Sequence, residues 1–397
     1  MILTSSFPNG PGDETCGYVR DFARTLASEF NVEVLAPADL NAGRWPEDLF
    51  TLRRSRPPLP KSLDPFRASA DFNNLPSRNF VIKIASAVSL AFFLKDAARL
   101  AARADVICSH WMLPSGLVGA LLSRALGKPH IVVEHSGALH HLARMRGGPR
   151  LARFIIGGCH RVITVSEDLK RKLISLCSDA SPKVEVIPMG IRETSAPPPR
   201  PPRLCGESAS QRKSILFIGR LTEVKGAEVL VRAMQGIEGA RLLVAGDGEQ
   251  RHTLEALARH LSVNAKFLGQ VGAEERDNLL SACDAVAIPS RVLGDGRTEG
   301  MPVVCLEAMA AGQPVIASRV GGLAEIIIES HNGLLFEPGN HEMLREKLML
   351  VLGDARVRET LSQNARLTAS LHSWPRTGTR FIKIIKACLE PTVRFQI

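Results

Sequence analysis

The chain has 397 residues, 45% of them apolar and 23% charged. At about 150 residues per domain this composition fits two globular domains and excludes a disordered or fibrous chain. Its net charge of +10 implies an anionic partner: nucleic acid, a membrane surface or a phosphorylated substrate.

The opening MILTSS reads as a first strand and not as the basic start of a signal peptide. Apolar strand runs follow at 32–36, 105–110, 130–135, 161–166 and 184–188, and again at 214–219, 241–246, 265–269, 285–290 and 314–318. They are nearly continuous, as in parallel strands buried on both faces. Amphipathic helices such as GYVRDFARTLASEF separate them, and strand-helix repetition builds doubly wound α/β sheets. Arg53, Arg54, Arg56 and Lys61 form a basic loop. The apolar stretch Val81 to Leu94 contains Lys83 and falls short of the roughly 18 apolar residues of a membrane span, so it reads as a buried or interfacial helix. Between the two strand series, residues 194–213 hold five prolines within six positions, which neither a helix nor a central strand accepts. The expected division is an acceptor-side domain at 1–193, a linker at 194–213, a second domain at 214–375 and a terminal helix at 376–397 packing back on the first domain. Two such Rossmann-like halves facing each other leave a cleft at the carboxyl ends of their strands, where ligands bind.

Between Ser136 and Ser166 there is no acidic residue, while Arg144, Arg146, Arg150, Arg153 and Arg161 accumulate beside Leu139, Leu142, Leu151, Phe154, Ile155 and Ile156. With aromatics at 5%, the interleaving typical of nucleic-acid surfaces is missing, so the expected partner is an anionic membrane surface and not nucleic acid. The eight cysteines are scattered without metal-ligand spacing, which suits a reducing cytosol; with the basic window, the expected place is cytoplasmic and peripheral on the inner face of a membrane.

The chemistry concentrates in two stretches. In FIGRLTEVKG a strand ends at Gly219 and is followed by Arg220 and Lys225, two cations able to pair with a diphosphate and neutralise a leaving group. In RTEGMPVVCLEAMAAGQPVI, Glu299 and Glu307 stand eight positions apart, Pro302 suits the first turn of a helix and Gly312 its end. The helix start offers N–H groups to an anion. Glu307 falls roughly 6–8 Å further along at 1.5 Å per residue. Carboxylates on either side of an anion-binding helix start suit a nucleotide-sugar: hexose, diphosphate, ribose. No paired D-x-D stands at a strand end, and GDG at 246–248 lacks a second acid, so no metal is expected.

These pieces, with LLVAGDGE, VITVSEDLK, VIPMGI, SHWMLPSG and SFPNGPGDETCGYVRDFA, resemble the large retaining glycosyltransferase family of the GT-B fold, including its exopolysaccharide and lipid-linked glycan enzymes. The resemblance spans nearly the whole chain. It implies that Glu299 and the N–H groups of Gly300 and Met301 hold the donor hexose, that Glu307 accepts from the ribose, and that Gly219, Arg220 and Lys225 hold the diphosphate, with the Gly12 loop facing them. It places His135 beside the transferred sugar. Asp13 and His110 are expected on the acceptor side, as are Arg144 and Arg146, which follow His135 closely; Asp13 serves equally as a cap for the helix near Gly17. Many members read E-G-F-G where this chain has Glu-Gly-Met-Pro, and Pro302 has no N–H to offer the sugar.

The resulting expectation is metal-independent, retaining transfer of a hexose from a UDP- or GDP-sugar to a glycan or lipid-linked hydroxyl, without any other cofactor. Rival readings are a nucleotide-sugar 2-epimerase, which needs no acceptor, a nucleic-acid-binding protein using the basic charge, and a degenerate nucleotide-sugar-binding module.

Overall fold

The computed structural model describes residues 1–10, 13, 16–38, 49–60, 80–192 and 213–390. Gly12, Lys61 and the expected linker up to residue 212 lie outside them. The chain divides into two compact units, one of Met1–Gly190 with Trp374–Ile397 and the other of Ile191–Ser373.

The first unit contains β1 (Ile2–Leu3), β2 (Glu33–Pro37), β3 (Thr51–Ser55), β4 (Ile107–His110), β5 (His130–Glu134), β6 (Arg161–Thr164) and β7 (Val184–Val186). Its sheet runs β3-β2-β1-β4-β5-β6-β7, with parallel pairing such as Ile2 opposite Val34 on one side and Cys108 on the other. The second contains β8 (Lys213–Ile218), β9 (Ala240–Ala245), β10 (Ala265–Gly269), β11 (Ala285–Ile288), β12 (Val315–Ser318) and β13 (Leu334–Phe336), in the order β10-β9-β8-β11-β12-β13. Strand order reverses at β1/β4 and at β8/β11, and such switch points are where doubly wound sheets bind ligands. Each sheet is covered by apolar helix faces; Leu344, Leu348 and Val351 of the helix His341–Gly353 sit in the core of the second unit.

Three expectations need correction. The segment carrying Arg53 and Arg54 is strand β3, not a loop. It is an edge strand, where charge is tolerated: Arg53 pairs with Glu33 at 3.0 Å, and Arg54 donates to the carbonyl of Pro37 at 3.0 Å. Strand β13 was not expected, its three residues being too short a run to stand out. Pro302 precedes its helix as the N-cap rather than lying in the first turn.

The helix over Val81–Leu94 is longer than anticipated, running Phe80–Ala101. Ala85, Ser89, Phe93, Ala97 and Leu100 turn inward at helical spacing, while Phe80 stays 74% exposed. Among the described residues no helix is long and apolar enough to cross a membrane.

The terminal helix Trp374–Leu389 is packed within the first unit. Phe381 meets Phe22 edge-on at 4.9 Å. Gly378 permits the contact, since a Cβ there would come within 2.2 Å of Thr25. Phe381→Ala removes a fully buried ring and should cost about 3–5 kcal/mol, read from urea unfolding, whereas the exposed Lys383→Ala should change stability by less than about 0.5 kcal/mol. Equal stabilities of the two variants would contradict this docking.

Candidate active site

In the second unit, the loops after β8 and β11 meet at the switch point. Gly219 donates to the carbonyl of Ala245 at 3.0 Å, and a Cβ on Gly246 would lie 1.9 Å from the carbonyl of Gly219. This floor of bare backbone leads into Arg220, which is exposed, and a single turn Glu223–Lys225. Gly226, with φ +66°, packs so closely that a Cβ would stand 1.9 Å from the carbonyl of Pro289. The backbone N–H of Arg291 donates to the carbonyl of Val224 at 2.8 Å. The two loops are thereby locked together, and Lys225 Nζ lies 2.9 Å from Glu299 Oε1, both side chains largely buried.

Glu299 leads into Gly300, Met301 and the helix Val303–Ala310. No described residue accepts a hydrogen bond from the N–H of Gly300 or Met301. The carbonyls here are used: Gly322 donates to Gly300 at 2.7 Å, and a Cβ on Gly321 would lie 2.3 Å from the Glu299 carbonyl. Glu307, four residues into the helix from Val303, meets Arg276 Nη1 at 3.3 Å. Arg276 stands on the helix Ala273–Ala282, which follows β10. Gly312, with φ +70°, follows the C-cap Ala311 as the helix stop. Lys225, Glu299, Gly300, Met301 and Glu307 therefore share one strand switch, with Gly219 and Arg220 beside them. The two glutamates each come paired with a cation, and the sequence reading assigned no role to Arg276 or to the Gly321–Gly322 pair.

In the first unit, His110 ends β4 and His135 follows β5. His110 is fully buried and His135 partly so. His110 Nδ1 lies 2.9 Å from His135 Nε2, and the rings are within 9° of parallel. His110 thus meets His135 and not solvent. Tyr18 and Trp111 flank His135, with ring centroids at 5.0 and 4.9 Å. Glu134, another residue the sequence reading passed over, is completely buried and accepts from the N–H groups of Met112 at 2.8 Å and Ser136 at 2.9 Å. Burial pushes its carboxyl up, against those backbone donors. Asp13 Oδ2 accepts from the N–H of Asn9 at 2.8 Å, and the helix Gly17–Leu26 is entered through Cys16, whose φ is +53°.

Arg144 and Arg146 are exposed, but the apolar surface expected around them is not formed. Leu139, Leu142, Ile155 and Ile156 are buried because they lie on the inward faces of the helices Gly137–Arg144 and Gly148–Gly157. Leu151 is half-buried, and Phe154 is exposed with the Arg124 guanidinium over its ring at 4.1 Å. The outer surface is basic and polar.

The two doubly wound sheets thus carry paired carboxylates and cations at one switch and a histidine pair beside the other. Residues 206–368 match the family Glycosyl transferases group 1, and residues 17–190 match the glycosyl transferase 4-like domain. An uncharacterized glycosyltransferase of Methanocaldococcus jannaschii is 34% identical over 309 residues, 72% of this chain and 76% of that one. Sucrose-phosphate synthase from Thermosynechococcus elongatus has the same fold, with a TM-score of 0.79, 23% identity and coverage of 97% of this chain and 98% of that one. Anabaena HepE in complex with UDP-glucose matches at a TM-score of 0.71 and 19% identity over 97% and 99% of the two chains. The chain belongs to the group 1 glycosyl transferases of the GT-B fold, and it is an enzyme of glycosyl transfer.

The buried imidazoles set the acid limit of the first unit. Burial lowers His110 and His130 to about 3, and burial followed by the neighbouring His110 lowers His135 well below the usual value. Each is neutral in the fold but takes a proton in the unfolded chain below about pH 6.5. Their contribution is fully present above that pH and falls with acidification, by about 1.4 kcal/mol per pH unit for each imidazole kept neutral. Glu134, shifted up, opposes with a single group. Trp111 and Trp374 fall in the first unit, so their fluorescence reports its unfolding. Urea midpoints should drop from pH 7.5 to 5.5; a flat profile would refute neutral burial.

Proposed function

We propose that this glycosyltransferase moves a hexose from a nucleoside-diphosphate donor to a hydroxyl of a glycan or lipid-linked acceptor, with retention at the anomeric carbon and without a metal ion. The observation that carries the reading is Lys225 and Glu299 held 2.9 Å apart beside the open N–H groups of Gly300 and Met301. A ligand seated there meets a cation, two backbone donors and a carboxylate together. Phosphate oxygens match the cation, and the hexose hydroxyls match the backbone donors and the carboxylate. HepE, similar in fold, is known in complex with UDP-glucose, which supports a nucleotide-sugar donor for this chain.

In this mechanism Arg220 and Lys225 neutralise the diphosphate as the bond from anomeric carbon to phosphate oxygen breaks. The acceptor hydroxyl attacks that carbon from the face the phosphate leaves, and its proton passes to the departing phosphate oxygen. Glu299 holds the hexose, Glu307 accepts from the ribose, and His135 meets the transferred sugar. Pro302, the N-cap, offers the hexose no N–H, so the backbone donors to it come from Gly300 and Met301.

Glu307→Gln should weaken binding of free nucleoside diphosphate and donor alike, whereas Glu299→Gln should spare the nucleoside diphosphate and impair sugar-dependent steps. Calorimetric titration of UDP and GDP separates them, and equal losses in both variants would refute the division. Lys225→Ala should lower kcat/KM by about 3 kcal/mol of transition-state stabilisation, and turnover should survive EDTA; abolition by chelation with recovery on adding Mg²⁺ would overturn the metal-free step.

We further propose that the exposed Arg144, Arg146 and Arg150 attract an anionic lipid surface. With the neighbouring leucines and isoleucines turned inward, this attraction is electrostatic, at about 1 kcal/mol per basic residue close to the surface. The protein should float with vesicles containing anionic lipid at low salt, be released by salt, and lose flotation in Arg144→Glu/Arg146→Glu. Indifference of the wild type to such vesicles would rule the surface out.

A further inference from the structure

The histidine pair carries an assignment beyond the placing of His135 near the sugar. A buried neutral imidazole has one N–H and one lone pair, so a contact between His110 Nδ1 and His135 Nε2 at 2.9 Å puts a single proton between them. If His135 supplied it, His110 would carry its own proton on Nε2. That atom is buried with no hydrogen-bond partner among the described residues, and the nearest ring, Phe22, meets the imidazole edge-on at 4.8 Å. A buried N–H without an acceptor is among the rarest and costliest arrangements in proteins, whereas a bare ring nitrogen against hydrocarbon is less so. An N–H pointing at an aromatic face is a second-order substitute.

We infer that His110 donates its Nδ1 proton to His135 Nε2 and thereby fixes His135 as the Nδ1–H tautomer, making His110 a positioning residue that turns His135 into a hydrogen-bond donor toward its ligand. The position supports this. Strands β4 and β5 pair in parallel with His110 opposite Val133, so the imidazole of His110 reaches the turn that follows β5. Trp111, with φ +66°, and Ser136, with φ +133°, flank the two histidines in sequence. Glu134 holds both of these turns through the N–H groups of Met112 and Ser136. No described residue bonds His135 Nδ1, and Tyr18 and Trp111 border its ring. His135 therefore offers an N–H to an oxygen, such as a sugar hydroxyl, and keeps its only lone pair engaged by His110. It cannot act as a general base while that bond stands.

The assignment rests on the proposed transfer only for its kinetic consequence; the tautomer is read on the protein alone. In the full chain labelled with ¹⁵N-histidine, long-range ¹H–¹⁵N spectra should show His135 protonated at Nδ1, and His110→Phe should convert it to a tautomer mixture. His135 protonated at Nε2, or unchanged in His110→Phe, overturns the inference. Two variants then separate positioning from packing. His110→Asn keeps an N–H where Nδ1 stood but leaves a gap, and His110→Phe fills the space without a donor. Positioning predicts that His110→Phe loses at least about tenfold in kcat with KM for the donor unchanged, while His110→Asn stays within a few-fold of wild type. A Phe variant as active as the Asn variant, or better, shows that His110 only fills space. If the wild type turns over no nucleotide-sugar, the proposed function fails, and the spectra still decide the tautomer.

Discussion

Lys225 and Glu299 meet because two loops approach backbone to backbone, and the proposed donor site depends on that approach. Gly226 lies against the carbonyl of Pro289, and Gly321 and Gly322 lie against the carbonyls of Glu299 and Gly300. A Cβ at any of these positions would collide with backbone, which cannot yield as a flexible side chain can. Gly226 and Gly321 also adopt positive φ, which costs other residues about 1 kcal/mol or more. A partly buried ion pair contributes little net stability, because desolvation offsets its attraction. Its value here is positional. The loops hold a cation and a carboxylate at fixed separation beside donors that the fold leaves open.

The first unit solves a related problem with a buried carboxylate. Glu134 is removed from water, an arrangement tolerated because backbone N–H groups surround it. In return it fixes the turns after β4 and β5, where Trp111 and Ser136 take backbone conformations that non-glycine residues rarely adopt. Such conformations persist only where surrounding structure over-determines them, and they gather at functional sites. The histidine pair sits on this frame, so its geometry is set by the same bonds that hold the turns.

The doubly wound fold was legible because parallel strands buried on both faces read as apolar runs, and most strand positions agree within a residue or two. Strand β3 was hidden because an edge strand can carry Arg53 and Arg54, and β13 because three residues make no pattern. Within the site, Glu299, Glu307, Arg220 and Lys225 were visible from their types and spacing. Their pairing was not, since Glu307 meets Arg276 only through the packing of two helices. Glu134 looked like one more residue of a strand end, and nothing local marks a carboxylate that will be buried. The apolar residues at 139, 142, 155 and 156 were misplaced on the surface, although Leu139 with Leu142, and Ala152 with Ile155 and Ile156, already have the three- and four-residue spacing of an inward helix face.

In the proposed reaction these features supply electrostatics and orientation rather than a covalent nucleophile. The carboxylates of the donor site are engaged by cations, and the buried imidazole pair is neutral. On this proposal the departing phosphate takes the acceptor's proton, on the face where the new bond forms. The most direct test is the anomeric configuration of the first product formed from an α-linked nucleotide-sugar, read from the anomeric proton coupling by NMR before any equilibration. The account predicts an α-linked product; a β-linked one would contradict it.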